Sequence, residues 1–165
     1  MPERATIERA KRDKSQGKSP STQAGEFVRE EIHHIREGKH GAKSAKQAIA
    51  IGLSKARRAG VKLPTPRKGT VSERTLAEAR RAAKAGTKRT KRRVSAARSR
   101  GALRRLRREG RSAASKVALA RQARRVVRRR TAAQRSASAR KAARTRARVK
   151  RAVVRKAARR RARSA

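Results

Sequence analysis

Ser44-Ala45-Lys46-Gln47-Ala48-Ile49-Ala50-Ile51-Gly52-Leu53-Ser54-Lys55-Ala56-Arg57-Arg58-Ala59-Gly60 is the stretch on which the fold turns. Its first four residues form a capping box, with Ser44 and Gln47 placed to satisfy each other's orphan backbone donors. Ala45, Ala48, Ile49, Gly52, Leu53 and Ala56 recur at spacings of three and four, so they line one face of a helix. Gly60 stands where a left-handed residue closes a helix, and Val61 is positioned to fold back on the last turn.

Upstream, a second helix is expected from about Ser21 or Thr22 to just before Gly38. Its apolar stripe is Ala24, Phe27, Val28, Ile32 and Ile35. The connection Glu37-Gly38-Lys39-His40-Gly41-Ala42-Lys43 is short, which makes the pair an αα-hairpin. Residues 2–15 read as a polar helix with Pro2 in its first turn and Gly17 beyond its end. Ile7 is its one core contact, so it is expected to fray. A unit of about 40 residues lies near the limit for a lone core. It therefore either dimerises through Phe27, Ile32, Ile49 and Leu53 or is marginally stable.

Downstream the composition changes. Leu63-Pro64-Thr65-Pro66 forbids helix continuation. The organisation read from this is a polar helix and linker over 1–20, the helix–loop–helix unit over 21–63, a proline-containing linker over 64–69, and a basic low-complexity segment over 70–165. Thr70-Val71-Ser72-Glu73 resembles a further capping box, opening a helix that runs to Gly86. The whole chain has 165 residues, with 54 Lys and Arg against 10 Asp and Glu, for a net charge of +44. The charge is graded, net +7 over 1–60, +15 over 61–109 and +22 over 110–165, and Glu109 is the last acid. Leu, Ile, Val and Phe together make up 22 residues, too few for an ordinary core in so charged a chain. The fold class is thus mostly α: a small N-terminal helical hairpin followed by a long Arg/Ala-rich tail. That tail is expected to be disordered when free, or to form isolated helices.

Several function classes fall away. There is no cysteine, which excludes disulfide frameworks and cysteine–zinc sites. No apolar run approaches the roughly 20 residues of a membrane span, and Met1 to Arg9 has no secretory apolar stretch. His33 and His34 are adjacent and point about 100° apart on a helix, so they cannot share a metal. Glu30 with His34, and His33 with Glu37, read as surface helix pairs. No catalytic constellation, metal or cofactor is expected. The Gly38-Lys39-His40-Gly41 loop, with Lys39, Lys43 and the helix start at Ser44, is a candidate phosphate seat beside the plainer reading of a turn with two glycines.

The tail carries the stronger signal. Between Leu119 and Arg130, Leu119, Ala120, Ala123, Val126 and Val127 take one helix side and Arg121, Arg124, Arg125, Arg128 and Arg129 the other. Arg140-Lys141-Ala142-Ala143-Arg144 recurs as Arg155-Lys156-Ala157-Ala158-Arg159. These cations, with Lys39 and Lys43, are the candidate nucleic-acid contacts. With arginine at 38 residues and lysine at 16, forked phosphate contacts are favoured. A single aromatic residue disfavours the stacking that single-strand binders use. Duplex DNA is therefore the expected partner, RNA the alternative, with no membrane partner and a cytoplasmic, nucleoid location.

The segment Glu26-Phe27-Val28-Arg29-Glu30 through Lys46-Gln47-Ala48-Ile49-Ala50-Ile51-Gly52-Leu53-Ser54-Lys55-Ala56-Arg57-Arg58-Ala59-Gly60 resembles a small bacterial domain family of uncharacterised function. Its core is the Lys-Gln-Ala-Ile-Ala-Ile run followed by Leu-Ser and Ala-Arg. Residues 75–165 are similar in composition to the tails of linker histones and bacterial histone-like proteins. They differ in being arginine-rich and free of proline after Pro66. That resemblance implies a histone-like protein that compacts the chromosome without sequence preference.

Overall fold

The described parts of the chain in a computed structural model are residues 2–66, 68–87 and 95–164, without the side chains of 156 and 159–164. Among them are seven helices and no strand: α1 (Arg4–Ser15), α2 (Pro20–Arg36), α3 (Ala45–Arg58), α4 (Glu73–Thr87), α5 (Ala96–Arg107), α6 (Lys116–Arg128) and α7 (Ala132–Ser164). A 3-10 turn, Ser112–Ala114, precedes α6. No described helix is long and apolar enough to cross a membrane.

The hairpin forms as its punctuation dictates. Gly60 is left-handed (φ +88°), its N–H donates to Arg57 O, and the Val61 N–H reaches Ala56 O. Gly17 and Gly38 close α1 and α2 with the same pair of bonds. These carbonyls would otherwise be orphaned at each helix end. Ser44 caps α3 through the Gln47 N–H, but Gln47 Oε1 accepts from the Lys43 N–H, one residue before the expected donor. Helix α2 begins earlier than expected, at Pro20 with Ser19 as its cap. Helix α4 is capped by Ser72, two residues beyond the cap expected at Thr70, and starts at Glu73.

The core has two parts. Ala10, Ala24, Phe27 and Ala56 pack together, flanked by Ile7, Leu53, Val61 and Leu63. Ile35, Ala42, Ala48, Ala113 and Ala114 form the second, with Ile32 against it. Alanine buries little area per residue. It also lets helices approach closely, and the chain compensates for small side chains with several packed helices.

Four expectations change as a result. First, α1 is docked: Thr6, Ala10 and Asp13 are buried, and Arg9 Nε lies 2.8 Å from Glu26 Oε2. Second, packing continues past Pro64 and Pro66. Leu76, Ala79 and Ala82 of α4 are buried, and α4 packs on α3. Arg57 is buried as well and donates to Pro64 O at 3.1 Å, tying the linker back to α3; burial pushes its guanidinium below the usual value. Third, Phe27 is only 1% exposed, covered within its own chain, so it is not part of a free dimer face. Fourth, the described part of the tail is helical rather than disordered. Alanine and arginine are both strong helix formers. At 33 residues, α7 exceeds the roughly 12–15 below which an isolated helix is marginal. Each later helix also has a nucleating cap: Ser95 for α5, Ser115 for α6, and for α7 a reciprocal box between Thr131 and Gln134.

Candidate nucleic-acid interface

Helix α6 leans on the body through its N-terminal half, where Ala118, Leu119 and Gln122 are half-buried beside the 3-10 turn and α3. Its far side carries Arg121, Arg124, Arg125 and Arg128, continued by Arg129, all exposed. Together with Lys116, Val117 and Ala120 they line one open groove. The apolar side is only partly used, since Val126 and Val127 remain exposed.

Helix α7 presents cations on two opposed sides. At 100° per residue, Arg135, Arg146 and Lys150 fall within an arc of about 60°. Arg140, Lys141, Arg144, Arg148, Arg151 and Arg155 fall within about 100° on the other side. All are exposed. Lys156 and Arg159 belong to the same helix, but their side chains lie outside the described residues. Thr145 and Val149, which lie between the two arcs, are the half-buried positions. There α7 passes the start of α2, and Lys18, Ser19, Ser21 and Thr22 face Lys141, Arg146 and Lys150 across a groove.

The Gly38–Gly41 loop is occupied by its own chain. The Gly38 and Lys39 N–H groups donate to Ile35 and His34 of α2, and the Gly41 and Ala42 N–H groups donate to Leu106 O and Gly110 O. With the Lys43 N–H held by Gln47, these five amides are already engaged. A Cβ at Gly41 would sit 1.8 Å from Glu109 O, so a strap of residues 106–110 lies directly on the loop. Lys39 Nζ is 3.0 Å from Glu37 and 3.6 Å from Glu3. Its hydrogen bond to Glu37 raises the Lys39 ammonium above its ordinary value and lowers the Glu37 carboxyl. Lys43 is exposed beside the start of α3. The structure therefore separates Lys39 and Lys43, within the packed body, from the arginines of α6 and α7. Sequence reasoning missed the strap, because its partners lie more than sixty positions apart. It also missed the Thr131–Gln134 box, although Thr-x-x-Gln is readable in the chain.

Residues 11–68 match the family model described as Family of unknown function (DUF6496). The match begins inside α1, spans α2 and α3, and ends within the proline-containing linker. It contains the Lys-Gln-Ala-Ile-Ala-Ile segment and leaves α4 to α7 uncovered. No curated protein and no solved structure matches the chain.

Proposed function

We propose that this protein is a nucleoid-associated, histone-like binder of duplex DNA that neutralises and condenses it without reading sequence. One observation carries the proposal: after Glu109 the chain has 22 basic residues and no acid, and the described cations of α6 and α7 face solvent. Exposed guanidinium groups without carboxylate partners are suited to phosphate, and neutralising a duplex releases its condensed counterions. At 33 residues, α7 is a rod about 50 Å long, enough to lie along roughly 15 phosphates of one strand. Cations on two opposed sides of that rod fit the bridging of two duplexes. The packed N-terminal body would hold α6 and α7 at a common base. The scarcity of aromatic side chains supports backbone contact over base stacking.

The test is equilibrium binding of the full chain to duplexes of unrelated sequence over a range of salt. Engagement of about 10 phosphates gives a slope near −9 for log affinity against log salt. Equal affinities with that slope support the proposal, while a slope near −1 rejects it. Preferential capture of structured RNA at matched salt would transfer the reading to RNA.

A further inference from the structure

The turn between α2 and α3 gathers four side chains that the proposed nucleic-acid surface does not use. Gly38 reverses the chain beyond α2, so that His40 stands edge-on to His34, with ring centroids 6.3 Å apart. Glu31, one turn before His34, is 0% exposed. His40 Nε2 lies 3.4 Å from Glu31 Oε1. One ligand atom each from Glu31, His34 and His40 lies within 4.8 Å of the other two. Glu3, the residue before α1, stands at the edge of this cluster, its Oε1 2.8 Å from His34 Nε2. His34 thus does not pair with Glu30, whose carboxylate instead accepts from the Glu3 N–H and approaches Lys55. The exposed pair His33–Glu37 forms as expected, at 2.9 Å.

Two details point to a cation. Both Glu31 carboxylate oxygens are buried without a hydrogen-bond partner. Lys55 Nζ stands 2.6 Å from Oε2 as an ion pair, which leaves Oε1 facing His40. The second detail is the tautomer of His40. Its Nδ1 is 3.1 Å from Gly41 O. A carbonyl only accepts, so Nδ1 carries the proton and a neutral ring turns its Nε2 lone pair toward Glu31. Two acceptors then face each other, an arrangement relieved by a second proton on the ring or by a metal ion between them. A backbone carbonyl holding one histidine nitrogen is also the usual way to aim the other at a metal.

We propose that Glu31, His34 and His40 form a binding site for a divalent transition metal of the zinc class, with Glu3 swinging in from the edge beside His34 as a fourth ligand. Tetrahedral zinc with bonds of about 2.0–2.1 Å sets its ligand atoms about 3.4 Å apart, and His40 Nε2 and Glu31 Oε1 already stand at 3.4 Å. The His34–Glu3 contact has to open by about 0.6 Å to reach that spacing, and the wider pairs, within 4.8 Å among Glu31, His34 and His40 and farther for Glu3, have to close. The half-exposed Glu3 side chain has room for this. Ligation through Nε2 requires the neutral His34 ring to carry its proton on Nδ1, so the Nε2–H now shared with Glu3 passes to solvent as Nδ1 takes one up. Two imidazoles and two carboxylates suit zinc-class ions over magnesium and calcium, which take all-oxygen shells. The ion would bind α1 to the turn on which residues 106–110 rest.

The experiment is calorimetric titration of the chelator-stripped full chain with Zn²⁺, with Co²⁺ as a visible-absorption probe. The expected result is one ion per chain, a tetrahedral Co²⁺ spectrum and a higher melting temperature. His34→Gln and His40→Gln should each weaken affinity by at least the roughly 10–100-fold that loss of an outer-shell partner costs, while His33→Gln leaves it unchanged. Should His40→Gln fail to fold, Glu3→Gln at the exposed edge still has to lower affinity. No saturable uptake at micromolar Zn²⁺ overturns the site, as does uptake unchanged in His34→Gln. Nitrogen NMR showing both His40 ring nitrogens protonated before and after Zn²⁺ addition overturns it too, assigning the pair to an imidazolium.

Discussion

Gly52 sets the distance between α2 and α3. A Cβ there would lie 2.7 Å from Val28 Cα, a backbone atom that cannot move aside as a flexible side chain can. Gly52→Ala therefore has to push the helices apart, at a cost of about 1–3 kcal/mol. A lower denaturant midpoint with an unchanged slope would establish it; an unchanged midpoint would show that the helices part freely. Lys55 poses the opposite problem, one of charge. It stands 2.6 Å from fully buried Glu31 and 3.5 Å from Glu30. Lys55→Met leaves Glu31 buried without that cation, a loss of about 3–5 kcal/mol by comparison with other broken buried pairs. Lys55→Arg should recover much of it, which separates charge from packing. Gly52 was legible because its spacing places it on the buried face of its helix. Glu31 was not, since a helical pattern of apolar residues cannot show that a carboxylate beside the stripe points inward.

Helix α4 stands or falls on one residue. Leu76 is 3% exposed, and its buried companions Ala79 and Ala82 bring little area of their own. Leu76→Ala removes the largest side chain that α4 contributes, costing about 2–5 kcal/mol. Amide exchange should then accelerate across 73–87 before it does so in α2 and α3. Equal acceleration everywhere would mean that α4 does not unfold as a separate unit. The helix itself was readable from its start signal, although Ser72 caps it where Thr70 was expected to, yet its docking was not. Alanine contacts depend on how closely two backbones approach, and composition does not encode that approach. The same holds for Ala113 and Ala114, which complete the second core cluster from far along the chain. The helical hairpin and the cationic faces of α6 were legible because each rests on periodicity within one segment. The covered Gly38–Gly41 loop was not, because its cover arrives from residues 106–110.

Across the whole molecule, attraction and repulsion are separated in space. The first 60 residues hold seven of the ten acids, several of them paired with lysine, arginine or histidine, whereas nothing after Glu109 offsets the arginines of α6 and α7. Helix propensity holds those segments against like-charge contacts worth a few tenths of a kcal/mol per neighbouring pair. Salt must then act in opposite directions on two properties. Raising it from about 0.01 M to about 1 M shrinks the Debye length from ~30 Å to ~3 Å. That screens arginine from arginine more than it weakens the buried pairs around Glu31. The free chain should therefore melt at a higher temperature in high salt, followed by far-ultraviolet circular dichroism. Its affinity for duplex DNA should fall steeply over the same range, because counterion release is what drives that binding. If the melting temperature falls with added salt instead, ion pairing and not repulsion governs the folded state.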